Sequence, residues 1–483
     1  MLFNSIDFAI FLPVVFLLYW FVFHRDLKWQ NTFVVVVSYV FYGWWDYRFL
    51  SLLFISTMID YLIGRALMKS IKTNQRKNLL TLSLVANLGI LGFFKYYHFF
   101  VDGITDAFTF FGFSVSGASW HIILPVGISF YTFQSMSYTI DVYRRKMTAT
   151  DDFMAFAAYV SFFPQLVAGP IERANHLLPQ FMAHRSFDYG LVVKGCRQIL
   201  WGLFKKIVIA DNCAMLADQI FDNHTLYPGS TLFLGAVFFS FQIYGDFSGY
   251  SDIAIGTSGL FGFDLRKNFA FPYFSRDVAE FWRRWHISLS TWFRDYVYIP
   301  LGGNHGNKWR KTRNILLVFI ISGFWHGANL TFIVWGALNA LLFLPLMLAG
   351  KNRQNLNIIA FDRYLPNLKE TFQMVFTFLS VTLLWILFRS ESLSKAQEIL
   401  SEIFSLSFFV VPAFDRIGLV ASTIILILFF MIVEWTGRTH LFAIEYLFSG
   451  RNKVIRWGFY SLLIALTGVF MQTGGSPFIY FQF

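Results

Sequence analysis

Charged residues are scarce in this chain: Asp, Glu, Lys and Arg together make up only 14% of its 483 residues. A soluble domain usually carries about 25%. Apolar residues make up 56% of the chain and aromatic residues 20%, and a fold of this length still exposes much of its surface. This composition argues against a water-soluble enzyme, a disordered protein and a nucleic-acid-binding protein. It predicts an integral membrane protein with no nucleic acid partner.

Cysteine is also rare, and the common catalytic motifs are missing. The two cysteines, Cys196 and Cys213, form no CxxC pair, which excludes a disulfide framework and favours simple core packing. The sequence has no GxxxxGK phosphate loop, no GxSxG nucleophile elbow, no HExxH zinc motif and no HxxxxD acyltransferase box. ATP hydrolysis and serine-hydrolase chemistry therefore lose support. The histidines are scattered, so we predict no bound catalytic metal and no bound cofactor.

What the chain does have is long apolar segments, and a membrane-spanning helix needs about 20 apolar residues. Gly and Pro interrupt several of them, which is tolerated at membrane depth only beside protein or a wet cavity. We predict an all-α polytopic protein with eleven to thirteen membrane helices, several broken or re-entrant, in a single integral membrane domain over 1–483. The predicted spans are 6–23, 32–42 with 49–64, 79–100, 120–140, 153–169, 191–210, 230–262, 314–349 (long enough for two helices), 370–388, 418–434 and 454–472.

Clusters of Lys and Arg lie between the apolar segments. Residues 65–78 and the KWRKTR segment at 308–313 contain several basic residues and no acidic residue. Under the positive-inside rule, both are expected to be cytoplasmic loops. The first segment lacks a basic leader and a small-residue cleavage site, so it is expected to be a retained membrane helix.

The segment 276–294, RDVAEFWRRWHISLSTWFR, has an unusual mixture of Trp and Arg. Wound as one helix, it places apolar side chains opposite polar ones, and His286 falls on the boundary. This pattern predicts an amphipathic helix in the headgroup plane. A plain interfacial anchor without chemistry fits equally well. The apolar side holds Trp282, Trp285, Leu289, Trp292 and Phe293, and the polar side holds Arg283, Arg284, Ser290, Thr291 and Arg294.

One histidine is isolated in an apolar stretch. Between Arg313 and Lys351 the only ionisable residue is His326, in SGFWHGAN. At about 1.5 Å per helical residue it lies roughly 20 Å from Arg313, well inside the membrane core. An ionisable group at this depth is a functional-site hypothesis by default, and imidazole suits proton transfer near neutral pH. The alternative is a packing histidine bonded to a carbonyl.

The neighbouring glycines add to this hypothesis. Gly323 and Gly327 should open the helix so that the ring of His326 faces a cavity. If the next helix began at Gly327, its positive end would favour the neutral imidazole that a general base needs.

Two polar residues interrupt the apolar stretch 230–262. Asp246 lies in GDFSGYSDIAIG, and Gln242 lies one helical turn before it. Together they could line a polar path through the protein. A hydrogen-bond lock between helices is an equally good interpretation.

Several long motifs, taken in order, resemble the membrane-bound O-acyltransferase (MBOAT) family, and especially its bacterial branch that acetylates alginate and other cell-envelope polysaccharides. The motifs are MLFNSIDFAIFLPVVFLLYW, FYGWWDYRFL, LPVGISFYTFQSMSYTIDVYR, FFPQLVAGPIER, FQIYGDFSGYSDIAIG, FWRRWHISLSTWFRDYVYIPLGGN and SGFWHGANLTFIVWGALN. The resemblance implies a ring of helices around a central tunnel. It also implies that His326 corresponds to the family's second-motif histidine inside that tunnel, and His286 to its first-motif polar residue.

The resemblance further implies a reaction and its participants. An acetyl group would pass from a cytoplasmic thioester donor, acetyl-CoA or an acyl carrier protein, towards polysaccharide hydroxyls. The protein would lie in the bacterial inner membrane and work with a periplasmic SGNH-type O-acetyltransferase. We take His326 and His286 as catalytic candidates. As candidates for donor binding or tunnel lining we take Arg283, Arg284, Gln242, Asp246, Trp325 and Asn329.

A non-enzymatic transporter or channel, with His326 as a proton relay, is the alternative function. A transporter should show a repeated half and several buried charges along its path. The sequence shows neither feature, and the acyltransferase is therefore the favoured prediction.

Overall fold

The computed structural model describes residues 1–112, 122–448, 450, 452–472 and 478–479. Within these ranges all regular secondary structure is helical, which confirms the predicted all-α class. In chain order the helices are α1 Ile6–Leu17, α2 Leu27–Gly43, α3 Leu50–Lys69, α4 Thr73–Phe110, α5 Ile128–Tyr143, α6 Phe153–Ser161, α7 Phe163–Leu166, α8 Ala174–Met182, α9 Tyr189–Leu203, α10 Asp211–Asp222, α11 Gly229–Leu260, α12 Val278–Arg284, α13 Ile287–Phe293, α14 Lys308–His326, α15 Leu330–Leu348, α16 Leu368–Arg389, α17 Leu393–Ile403, α18 Ile417–Thr436 and α19 Lys453–Val469.

The chain forms two compact units. The first consists of Met1–Val193 with Thr257–Arg266, and the second of Lys194–Gly256 with Lys267–Phe483. Both candidate catalytic histidines belong to the second unit. That the whole chain acts as one membrane domain stays a prediction.

Among the described residues, five helices are long and apolar enough to cross a membrane, and each overlaps a predicted span. The chain is therefore a multi-pass helical membrane protein, whereas the count of eleven to thirteen spans stays a prediction. The predicted span 120–140 begins at two residues outside the described part. The five helices are Tyr47–Lys69, Thr73–Thr105, Leu330–Leu348, Leu368–Arg389 and Ile417–Thr436.

Two helix breaks of the first unit lie at or beside a Gly or Pro, as the interruption of the apolar segments by these residues predicted. In the first unit, α5 begins directly after Gly127, whose φ of 76° lies in the left-handed region that glycine tolerates. In the same unit Phe162, two residues before Pro164, separates α6 from α7. The stretch 314–349 contains two helices, α14 and α15, as its length suggested.

Helices α14 and α15 form a tight hairpin in the second unit. A β-carbon placed on Gly323 would clash with the backbone carbonyl of Phe332, and one placed on Gly336 would clash with that of Phe319. Small residues at these points let two membrane helices approach at backbone distance. The hairpin therefore fixes the position of the α14 C-terminus, where His326 lies.

The segment 276–294 is not the single amphipathic helix that was predicted. It contains α12 and α13, separated by Trp285 and His286, and His286 adopts a left-handed conformation with φ of 43°. Two tryptophans of the predicted apolar side are enclosed by protein: Trp285 is 2% exposed and Trp292 is 4% exposed. The break at Trp285 and His286 interrupts the periodicity on which the predicted two-sided helix depended. The depth of this segment in the membrane stays a prediction.

Four tryptophans of the second unit form an aromatic cluster around α12, α15 and α16. The ring centres of Trp285 and Trp385 lie 5.2 Å apart, those of Trp335 and Trp385 5.6 Å, and those of Trp282 and Trp335 5.7 Å. Aromatic contacts of this kind stabilise a core beyond simple area burial. This tryptophan cluster supports both histidine segments.

Candidate active site

His326 is the last residue of α14, and it lies against the tryptophan cluster. Its ring centre is 5.4 Å from that of Trp335 and 5.3 Å from that of Phe388. The helix ends because Gly327 is extended, and a β-carbon at Gly327 would clash with the Phe332 ring. Only 6% of His326 is exposed. The sequence therefore placed the break correctly on the C-terminal side of His326.

Two details of the His326 prediction are wrong. Gly323 does not open the helix, because it remains helical and serves as the contact point for α15. The next helix begins at Leu330, with the side chain of Asn329 capping it, and not at Gly327. His326 lies at the C-terminal end of its own helix, so the argument from a helix N-terminus does not apply to it.

His286 lies in the break between α12 and α13 and is 1% exposed. Its Nδ1 atom is 3.1 Å from Oδ1 of Asn268, and its ring meets that of Phe247 edge-on at 4.6 Å. Burial lowers the pKa of His286 to about 3, because a charged imidazole is poorly solvated among apolar groups. The ring is therefore neutral at physiological pH.

A single cavity of about 900 Å³ is lined by both histidines. The ring of Trp325 contacts both of them, with centre-to-centre distances of 6.1 Å to His286 and 4.9 Å to His326. Apolar side chains such as Phe319 and Phe343 line the same cavity. The structure thus brings together two histidines that are 40 positions apart in the sequence.

The cavity is positively charged. Five basic residues line it, and none of the described lining residues is acidic. A volume lined by one sign of charge attracts ligands of the opposite sign and holds them through charge-assisted hydrogen bonds. The cavity therefore combines two imidazoles with an anion-attracting wall. Its basic residues are Arg283, Arg294, Lys308, Lys311 and Arg353.

The two predicted donor-binding arginines lie in different environments. Arg283 lines the cavity and donates to the carbonyl oxygens of Asn352 at 2.6 Å and Asn355 at 2.9 Å. Arg284 is not among the lining residues; it forms an ion pair with Glu280 at 2.7 Å. Only Arg283 is placed where it could meet a ligand in this cavity.

The other predicted residues mostly lie away from the cavity lining. Asn329 caps α15 and donates to the carbonyl oxygen of Glu391 at 2.7 Å. Gln242 is buried on α11. Asp246 is ion-paired with Lys206 at 2.7 Å, which fits the hydrogen-bond lock better than a path. Of the six candidates for donor binding or tunnel lining, Arg283 lines the cavity and Trp325 contacts both imidazole rings.

Sequence reasoning missed several residues of the site. The KWRKTR segment was interpreted only as a cytoplasmic loop, yet it forms the first turns of α14 and contributes Lys308 and Lys311 to the cavity. Asn268 was not considered, because no local motif links it to His286. Among the described residues, no group of three or more His, Cys, Asp or Glu is placed to hold a metal ion.

Comparison with known proteins gives a consistent result. Residues 34–388 match the model of the membrane-bound O-acyltransferase family, a range that includes both histidines. The chain is 41% identical to the protein named "Probable alginate O-acetylase AlgI" of Pseudomonas aeruginosa over 440 residues, which covers 90% of this chain and 81% of that protein. It is 34% identical to the peptidoglycan O-acetyltransferase of Helicobacter pylori over 429 residues, with 83% and 79% covered.

A more distant similarity covers a shorter part. The chain is 30% identical to the teichoic acid D-alanyltransferase of Bacillus subtilis over 233 residues, which is 46% of this chain and 58% of that protein.

Proposed function

Since this chain belongs to the membrane-bound O-acyltransferase family, we propose that its histidine cavity transfers an acetyl group from a thioester donor to a hydroxyl of a cell-envelope polysaccharide. The chain is an enzyme, because its relatives are named as O-acetyltransferases. Family membership therefore decides against the non-enzymatic transporter. What we propose beyond this class is the donor, the roles of individual residues and the route of the acetyl group.

The observation that carries this proposal is the joint lining of one cavity by His326, His286 and five basic residues without an acidic residue. Acyl transfer to an alcohol needs a base near the hydroxyl, since an alcohol is a poor nucleophile until its proton is removed. A donor whose thioester is attached to a phosphate-bearing carrier needs cations in the site to bind the phosphate. The cavity supplies both requirements in one place.

We assign His326 as the general base. Its imidazole takes the proton of the acceptor hydroxyl while the hydroxyl oxygen attacks the thioester carbonyl carbon. A carbon–oxygen bond forms and the carbon–sulfur bond breaks. The proton held by His326 then passes to the departing sulfur, which leaves as a thiol. Enclosure of His326 among Trp335 and Phe388 limits water, which would otherwise hydrolyse the thioester.

The basic residues define the donor side of the cavity. Lys308 and Lys311 lie in the first turns of α14, and His326 lies at the opposite end of the same helix. An anionic phosphate of coenzyme A or of a carrier-protein arm would bind near these lysines, and its acetyl group would extend towards His326. The apolar lining between them suits an uncharged linker.

The proposal also covers the acetyl acceptor, the membrane and the partner protein. Relatives are named for alginate and for peptidoglycan, and the chemistry common to both is a carbohydrate hydroxyl. We propose that this multi-pass protein lies in a bacterial inner membrane. The cavity would be part of a tunnel that delivers the acetyl group outward, where a periplasmic SGNH-type transferase completes its transfer.

Replacement of His326 in the producing bacterium tests the proposal. His326→Ala should lower the ester-linked acetate of the cell-envelope polysaccharide by at least about 100-fold, the scale of a general base, with membrane insertion unchanged. His440→Ala is the matched control, because His440 is an exposed histidine of the same unit that does not line the cavity. Normal acetate content with a well-expressed His326→Ala protein would contradict the assignment.

A further inference from the structure

Asn268 is completely buried and lies beside the break that contains His286. It contacts this break in two ways. Its backbone carbonyl accepts a hydrogen bond from the Ile287 N–H at 2.9 Å, and its side-chain oxygen lies 3.1 Å from His286 Nδ1. Two positions further on, the Ala270 N–H donates to the Arg284 carbonyl at 2.9 Å. Residues 268–270 therefore run along the break and hold its backbone.

The orientation of the Asn268 amide follows from its neighbours. Its Oδ1 accepts from the backbone N–H of Ser288 at 3.3 Å and lies 2.9 Å from the Ser288 hydroxyl. A backbone N–H can only donate, so the atom facing it must be the amide oxygen. On the other side, the amide nitrogen donates to the Ser251 hydroxyl at 3.2 Å. The amide is therefore fixed in one orientation.

This orientation determines which nitrogen of His286 carries the proton. An amide oxygen has no hydrogen, so Nδ1 of His286 must be the donor in their contact. The ring is neutral, because burial lowers the pKa of His286 to about 3. In a neutral imidazole only one nitrogen is protonated. Nε2 is consequently the unprotonated nitrogen of a ring that lines the cavity.

The left-handed backbone of His286 supports the same conclusion. A non-glycine residue with φ of 43° costs on the order of 1 kcal/mol or more, and such strain persists only where the surroundings impose it. The Asn268 and Ile287 backbone contact and the Asn268 side chain together impose it here. A plain core histidine would need neither the strained backbone nor a fixed amide.

We propose that Asn268 is a positioning residue that holds His286 in the Nδ1–H tautomer, so that Nε2 can accept a hydrogen bond from the departing thiol. This inference rests on the proposed function for its catalytic consequence, but not for the tautomer itself. Without Asn268 the ring can exchange tautomers or turn, and Nε2–H would then donate where the reaction needs an acceptor.

The tautomer can be measured independently of activity. Solid-state NMR of the full-length protein, labelled with ¹⁵N-histidine and reconstituted in lipid, separates protonated from unprotonated ring nitrogens. The His286 signals are assigned by their loss in His286→Ala. We expect protonated Nδ1 and unprotonated Nε2 in the wild type, and a changed or mixed pattern in Asn268→Ala. A wild-type ring protonated at Nε2 would overturn the proposal, whether or not the protein transfers acetyl groups.

Kinetics then separate a positioning role from a structural one. Asn268→Ala should lower kcat about tenfold, the scale of lost orienting contacts, with donor KM changed less than twofold. In a His286→Ala background, adding Asn268→Ala should lower kcat hardly any further, because the histidine that Asn268 contacts is already removed. An additive loss in the double variant would show that Asn268 acts on stability alone and would overturn the proposal.

A conservative substitution adds a pH signature. Asn268→Asp keeps an acceptor oxygen facing Nδ1, so activity should recover relative to Asn268→Ala at high pH. The carboxylate also raises the pKa of His286, so the ring gains a second proton at Nε2 and activity falls as the pH is lowered. Asn339→Ala is the matched control: this buried amide donates to the Trp335 carbonyl and should leave the pH profile unchanged. Equal behaviour of Asn268→Asp and Asn268→Ala at every pH would contradict the assignment.

Discussion

Removal of two positive charges from the cavity wall should weaken donor binding without affecting the chemical step. The double variant Lys308→Gln/Lys311→Gln keeps a polar side chain that can donate hydrogen bonds but removes both charges at the start of α14. Such partly solvated contacts are each worth up to about 1 kcal/mol, which is about fivefold in affinity. The donor KM should therefore rise by up to roughly 25-fold at low salt, while kcat stays within about twofold.

Salt dependence makes this prediction specific. The screening length falls from about 10 Å at 0.1 M salt to about 3 Å at 1 M. Raising the salt concentration should therefore increase the wild-type KM much more than that of the double variant, so that the two values converge. The assay is the initial rate of thiol release from acetyl-CoA by protein in lipid vesicles with acceptor present, measured at 0.05 M and about 0.5 M salt.

The matched control removes the same charge elsewhere. Lys369 and Lys453 are exposed in the same unit and do not line the cavity. Lys369→Gln/Lys453→Gln should leave the donor KM and its salt dependence unchanged. A cavity variant whose kcat collapses while KM and salt dependence stay at wild-type values would refute donor binding at this wall. The lysines would then act as structural anchors of α14.

Three further outcomes are expected. His286→Ala should lower kcat less than His326→Ala does in the same thiol-release assay, because in the proposed mechanism His286 only accepts a hydrogen bond and His326 holds the transferred proton. Equal losses would indicate a shared acid–base role. Arg284→Gln should leave the donor KM unchanged but lower the free energy of unfolding by about 2–4 kcal/mol, since it leaves the buried Glu280 without one of its cations. Gly336→Ala should destabilise the protein by about 1–3 kcal/mol through overpacking of the α14–α15 contact, and unchanged melting would argue against that contact.

The position of His326 was predictable because composition alone isolates it. An apolar stretch with one ionisable residue can be read without knowing the fold, and the flanking Gly327 marked the end of the helix. The role of Gly323 was not predictable in the same way. A glycine that opens a helix and a glycine that lets a neighbouring helix approach have the same local sequence, and only tertiary packing distinguishes them.

The break at His286 could not be predicted from the helical periodicity of the sequence. The helical wheel treated 276–294 as one helix, and no Gly or Pro marks a break inside it. The break is imposed from outside, by the chain at 268–270 that pairs with its backbone. Asn268 itself was unpredictable for the same reason, since its contact with His286 depends on the tertiary path of the intervening chain.

The basic residues of the cavity could be predicted only in part from the sequence. A cluster such as KWRKTR fits the positive-inside rule whatever else it does, so charge counting could place it near the membrane surface but could not say that Lys308 and Lys311 line a cavity. The same counting treated Arg283 and Arg284 alike. Their separation, one in the cavity and one bound to Glu280, follows from adjacent residues on a helix pointing in different directions.

Helix α14 carries cavity-lining cations at one end and the proposed base at the other. Its length therefore fixes the distance between them. Lys308 and His326 are its first and last residues, so at 1.5 Å per residue they are held about 27 Å apart along the axis. Under the proposed function, this fixed distance would select donors by the span between their phosphate and their thioester. A donor with a shorter span would be held at the lysines while its thioester stayed out of reach of His326.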